Sequence, residues 1–102
     1  MSKIFFDHLV ELDKIERKIK KIAQTPEERE EIFHLIDEII HHRVIGCILD
    51  RLPESEHRRF SKKLVERPFD DRIISYLQKK ISEDVEEFIK KEIADIKDEL
   101  FL

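Results

Sequence analysis

A chain of 102 residues suits one domain and is too short for two cores of ordinary size; 43% of it is charged, with only 1 Gly and 3 Pro. Its apolar residues are mainly Ile, Leu and Phe, so the composition excludes a hairpin-rich β fold and predicts helices joined by short connections. A net charge of -4 gives no general attraction to nucleic acid or anionic membranes, the single Cys47 excludes an intrachain disulfide, and no stretch approaches the roughly 20 apolar residues of a membrane span.

The opening MSKIFFDHLVELDK interrupts its apolar run at Asp7 and His8 and lacks the apolar region of a secretory signal. With one cysteine, a reduced cytoplasmic setting is the expectation. From about Lys3 to Ala23, Phe5, Leu9, Leu12, Ile15, Ile19 and Ile22 recur at steps of three and four, predicting a first helix with one apolar side. At about 1.5 Å per residue it would be about 30 Å long. Thr25, Pro26 and Glu28 form a capping box that opens a second helix, which carries Ile32, Phe33, Leu35, Ile36, Ile39, Ile40, Val44, Cys47, Ile48 and Leu52. That apolar arc is too wide for one partner, so this helix is expected at the centre.

Pro53 ends the second helix at or before Leu52 and starts a third, running to about Glu66 with Phe60, Leu64 and Val65 inward. Pro68 stops it. Asp70 can cap a short fourth helix with Ile73, Ile74 and Leu77, and Ser82 can open a fifth through Val85, Phe88, Ile89, Ile93, Ile96 and Leu100. The predicted fold is therefore all-α, about five helices in a single domain over 1–102: an N-terminal antiparallel helical hairpin (1–52) and a compact three-helix C-terminal unit (53–102). Formal charge alternates, about +2 over 1–25, about -5 over 26–50, about +3 over 51–67, about +1 over 68–81 and about -5 over 82–102. Such alternation suits neighbours of opposite sign.

His34, Glu38, His41 and His42 have helical spacings that suit a metal, and Glu38 to His41 matches the Glu-x-x-His pattern of di-iron bundles. A second such motif is missing, so the favoured reading is surface histidines pairing with Asp37 and Glu38, with no metal and no cofactor. Cys47 lies between Gly46 and Ile48 and reads as a small buried apolar residue rather than a nucleophile. Gly46 implies close approach of another helix or a local bend. No phosphate loop, nucleophile triad or carboxylate pair can be assembled, and the sequence predicts no enzyme.

On the third helix, Arg58, Arg59, Lys62, Lys63 and Arg67 make a basic face suited to phosphates or to an acidic protein. The stretch ILDRLPESEHRRFSKKL followed by RIISYLQKKISEDVEEFIKKEI, from Ile48 to Ile93, resembles an uncharacterised helical module recurrent in small proteins of genome-reduced, candidate-phylum bacteria. The shared shape is a Leu-Pro break, a Phe and a Leu in the next helix, a short YLQKKI-like helix, and a last helix with Phe-Ile and Glu-Ile. This resemblance covers about half the chain; it implies an all-α fold and carries over no activity.

More apolar surface is available than one monomer of this size can cover. Phe5, Leu9, Phe33, Leu35, Leu100 and Phe101, with Leu102, remain after the hairpin is paired. The leading expectation is thus a non-enzymatic protein-protein interaction or self-association module, with another protein or a second copy as partner in a homodimer. The alternative is a nucleic-acid-binding accessory protein using the basic face of the third helix. Nucleic acid is the less favoured partner and no membrane is expected.

Overall fold

In the computed structural model, which describes residues 4–101, five α-helices follow one another. They are α1 (Leu12–Ile22), α2 (Pro26–Arg51), α3 (His57–Glu66), α4 (Arg72–Lys80) and α5 (Val85–Leu100), with 3₁₀ turns at Asp7–Leu9 and Glu54–Glu56. The described residues contain no strand, and the fold class is all-α. Lys3 and Leu102, named in the sequence reading, lie outside the described residues.

The first helix is shorter than its periodicity suggests. Phe5 and Phe6 are both buried, at 2% and 0% exposure. On a regular helix the two rings would point about 100° apart. The segment turns instead. The Phe5 N–H donates to the Pro68 carbonyl at 2.7 Å, and the Asp7 carboxylate accepts the Ile4 N–H at 2.9 Å. Phe5 then meets Phe6 edge-on at 5.2 Å and Phe60 of α3 at 6.3 Å. α1 itself buries only Ile15 and Ile19, while Ile22, expected on the same side, is 62% exposed. Ala23, in extended backbone just after the helix, is buried instead.

Thr25 starts α2 as its sequence requires. Its hydroxyl accepts the Glu28 N–H at 3.2 Å, Pro26 occupies the first helical position, and the Glu28 carboxylate reaches the Gln24 N–H at 3.4 Å. The short link folds α2 back on α1. Ile36, Ile40, Val44 and Ile48 of α2 are buried, and α5 brings Val85, Phe88, Ile89, Ile93 and Ile96 to the same core. α4 adds Ile73 and Leu77. One cluster of buried residues thus runs from Phe5 to Ile96 through every helix.

The α2–α5 contact corrects the expectation that neighbours would have opposite charge, since both come from strongly acidic segments. Apolar packing decides which helices meet, and two arginines make the charge tolerable. Arg43 bonds Glu92 at 2.9 Å and also Glu99, while Arg51 bonds Glu83 at 2.7 Å and lies over the Phe88 ring at 4.4 Å.

Pro53 acts as the sequence implies on Leu52, which is extended (φ -78°, ψ 133°), but α3 begins only at His57 after the 3₁₀ turn. The His57 Nε2–H donates to the carbonyls of Leu49 at 3.0 Å and Leu52 at 2.9 Å, satisfying groups that the end of α2 leaves open. Phe60 is fully buried and Leu64 half-buried, whereas Val65, expected inward, is 82% exposed because it stands one residue round from Leu64. Asp70 accepts the Arg72 N–H at 3.0 Å and pairs with its guanidinium, which holds the carboxyl down at about 2. At α5 the cap is Asp84 rather than Ser82, because its carboxylate reaches the Glu87 N–H at 3.2 Å. Gln78 secures that turn by accepting the Val85 N–H and donating to the Glu83 carbonyl.

At Gly46 the close approach of another helix, one of its two expected reasons, is not seen among the described residues. Beyond its chain neighbours and the backbone of α2 itself, a Cβ built there would have no contact within 4 Å, so no other described helix approaches it. Gly46→Ala should therefore stabilise the isolated chain by about 1 kcal/mol through helix propensity. Thermal unfolding in dilute solution checks this; a loss of stability would show a contact at Gly46 that the fold lacks.

Candidate functional site: the outer face of helix α2

The residues expected to form a partner surface do not come together. Phe5 is buried in the core and is unavailable, while Leu9, Phe33 and Phe101 are half-buried and pack against that core. The Lys18 ammonium lies 5.2 Å above the Phe101 ring. Leu35 and Leu100 stay open, at 58% and 41% exposure.

A different surface appears around Leu35. Ile36, Ile40, Val44 and Ile48 take α2 into the core, and on its other side Leu35, Ile39, His42, Gly46 and Leu49 follow at steps of four, three, four and three. This is the spacing of a helix-pairing seam. Ile39 is 37% exposed, His42 and Gly46 are exposed, and Leu49 is half-buried. Ile4, Ile45 and Leu64 of α3 widen the carboxyl-terminal end of this stripe into an open groove of about 580 Å³, with Glu38 and His41 on its wall. The sequence reading does not single out Ile39, because it stands beside Ile40 among the many apolar residues of the second helix. The signal that finds it is the heptad step from Leu35 through Leu49.

The histidines divide between separate partners. His34 pairs with Glu38 at 3.2 Å, His41 pairs with Asp37 at 3.4 Å and meets the Phe6 ring edge-on at 5.6 Å, and His42 is exposed. Among the described residues, no three His, Cys, Asp or Glu side chains are grouped to hold a metal. Cys47 is half-buried, and its Sγ receives a hydrogen bond from Arg51 at 3.0 Å. Burial pushes its thiol upward, away from the thiolate that a nucleophile requires.

Arg58, Arg59, Lys62, Lys63 and Arg67 are all exposed. Three already have partners: Arg59 with Glu56 at 3.6 Å, Lys62 with Glu66 at 4.0 Å, and Lys63 over the Tyr76 ring at 5.0 Å. The Tyr76 hydroxyl donates to Glu56 at 2.8 Å; burial first, and then this carboxylate, push its pKa up to about 12, while the bond lowers that of Glu56. Acidic groups are thus interleaved with the basic face. No helix among the described residues is long and apolar enough to cross a membrane. Comparisons with protein-family models, curated proteins and solved structures give no match for the chain.

Proposed function

We propose that this chain is a non-enzymatic interaction module that works by self-association, as a homodimer, through the outer face of α2. The observation that carries this reading is the exposure of Leu35 and Ile39 on a helix whose opposite face is already buried. Single exposed aliphatics such as Ile22 and Val65 are ordinary on a protein surface. A stripe at heptad spacing that continues into an apolar groove is a different arrangement, and covering each aliphatic side chain in it is worth about 1.5–3 kcal/mol at full burial. The basic face of α3 supports nucleic-acid binding less, because Glu56 and Glu66 compete for its cations.

Methyl-resolved NMR over a dilution series tests this surface. The Leu35, Ile39 and Leu49 methyl signals should move with concentration, while those of Ile74 on α4 and Ile93 on α5 stay fixed. Movement confined to α4 and α5, or none at all, would contradict the reading.

A further inference from the structure

The geometry points to a second binding surface, at the end of α3 and its link to α4, that takes single-stranded nucleic acid, with phosphates on Arg59, Lys63 and Arg67 and one base on Phe69. It goes beyond the self-association reading, and its cavity shares no residue with the groove on α2. Glu56 and Glu66 weaken α3 as a broad phosphate surface, and the site is accordingly narrow.

Phe69 is the first observation. It is 63% exposed at the tip of a turn, which the Asp70 N–H closes on the Arg67 carbonyl at 3.1 Å. The Phe5 N–H holds the Pro68 carbonyl at 2.7 Å and Arg72 holds the Asp70 carboxylate at 2.9 Å, so the turn is fixed on both sides. Turn tips are usually given to Gly, Asn, Asp or Ser. An aromatic ring already fixed there offers its face to a base with little further ordering. The surroundings of Phe69 also differ from those of Ile22 and Val65: Arg67 and Asp70, the two ends of its turn, line a cavity of about 370 Å³ with Lys63, Glu66, Arg72 and Ile73.

The charges around that cavity are unequally committed. Asp70 is taken by Arg72, and Glu66 faces Lys62 at 4.0 Å, whereas among the described residues Lys63 and Arg67 enter no ion pair. Arg59, Lys63 and Arg67 follow at steps of four, a row of about 12 Å on a helical rise. Glu56 lies 3.6 Å from Arg59 and keeps the Tyr76 hydroxyl at 2.8 Å when that arginine turns to a phosphate.

The size of the row selects the ligand. On a chain of net charge -4, so short a basic row offers little to an extended anionic bilayer or a rigid duplex. A flexible strand can follow it and splay one base onto the ring. The carboxylates of an acidic peptide could use the cations, but the negative face of an aromatic ring gives them nothing.

Fluorescence anisotropy of a labelled oligouridylate of about 12 nucleotides, titrated with the full chain, tests this. At about 50 mM salt, Kd should be on the order of 10–100 µM, and log K should fall against log salt with a slope of about -2, for three phosphates. Arg67→Gln should make that slope shallower by about 0.7, while Phe69→Ala should weaken binding about tenfold and leave the slope unchanged. Both side chains are exposed, so both variants should keep the wild-type circular dichroism spectrum. Absence of saturation up to about millimolar chain, or equal binding by the wild type and both variants, would overturn the site. Displacement of the strand by polyglutamate or by phosphatidylserine vesicles as readily as by unlabelled oligouridylate would overturn nucleic acid as its ligand.

Discussion

Phe60→Ala is expected to cost about 3–5 kcal/mol, the usual range for removing a fully buried aromatic ring. Phe60 is 0% exposed and is the sole fully buried residue of α3, with half-buried Leu64 as that helix's other apolar contact with the core. Its ring also meets Phe5 edge-on, and Phe5 belongs to the turn that ties the amino terminus to Pro68. Removing the ring therefore loosens two segments. Against a total stability of about 5–15 kcal/mol for a small domain, such a loss shows plainly in urea unfolding followed by circular dichroism. Arg59→Ala, one position away, removes an exposed guanidinium whose pair with Glu56 is long, at 3.6 Å, and leaves Glu56 its bond from Tyr76, so it should change little. Equal and small effects from both would mean that α3 presents a different face to the core.

Where local chemistry decides a boundary, the sequence is easy to read. Thr25, Pro26 and Glu28 begin α2 because a hydroxyl, a fixed φ and a carboxylate meet at the right spacing, and Pro53 sets Leu52 in extended backbone for steric reasons alone. Other features depend on packing. Phe5 fits the helical period as well as Leu9 does, yet its N–H bonds the Pro68 carbonyl ahead of a 3₁₀ turn at Asp7–Leu9, a long-range contact that periodicity does not reveal. Val65 and Ile22 carry the right residue type but stand past the edge of the buried arc. The cap of α5 moved from Ser82 to Asp84 because only Asp84 lies three residues before Glu87 with its N–H free to donate. Segment charge misjudged α2 and α5, whose shared apolar faces outweigh their common sign. Of the outer stripe, Leu35 is visible in the sequence as an unplaced apolar residue, whereas Ile39 and the open side of Gly46 are settled only once α5 and α1 have taken their places.

Ile39→Glu is the second large effect expected. Ile39 is 37% exposed on the outer stripe, so a glutamate there can extend into water in the single chain and leave helical content unchanged. In the paired state two such carboxylates would be drawn from water, at an effective cost of several kcal/mol per ion. With about 1.4 kcal/mol for each tenfold in affinity, association should weaken by about a hundredfold or more.

Sedimentation equilibrium on the wild type and the Ile39→Glu variant, at matched concentrations, measures this directly. The wild type should have twice the 12.4 kDa mass of one chain, and the variant should stay at 12.4 kDa with the same circular dichroism spectrum. A wild type that remains at 12.4 kDa up to about millimolar concentration, where only the weakest affinities go unseen, would contradict self-association through α2. So would a variant that pairs as tightly as the wild type.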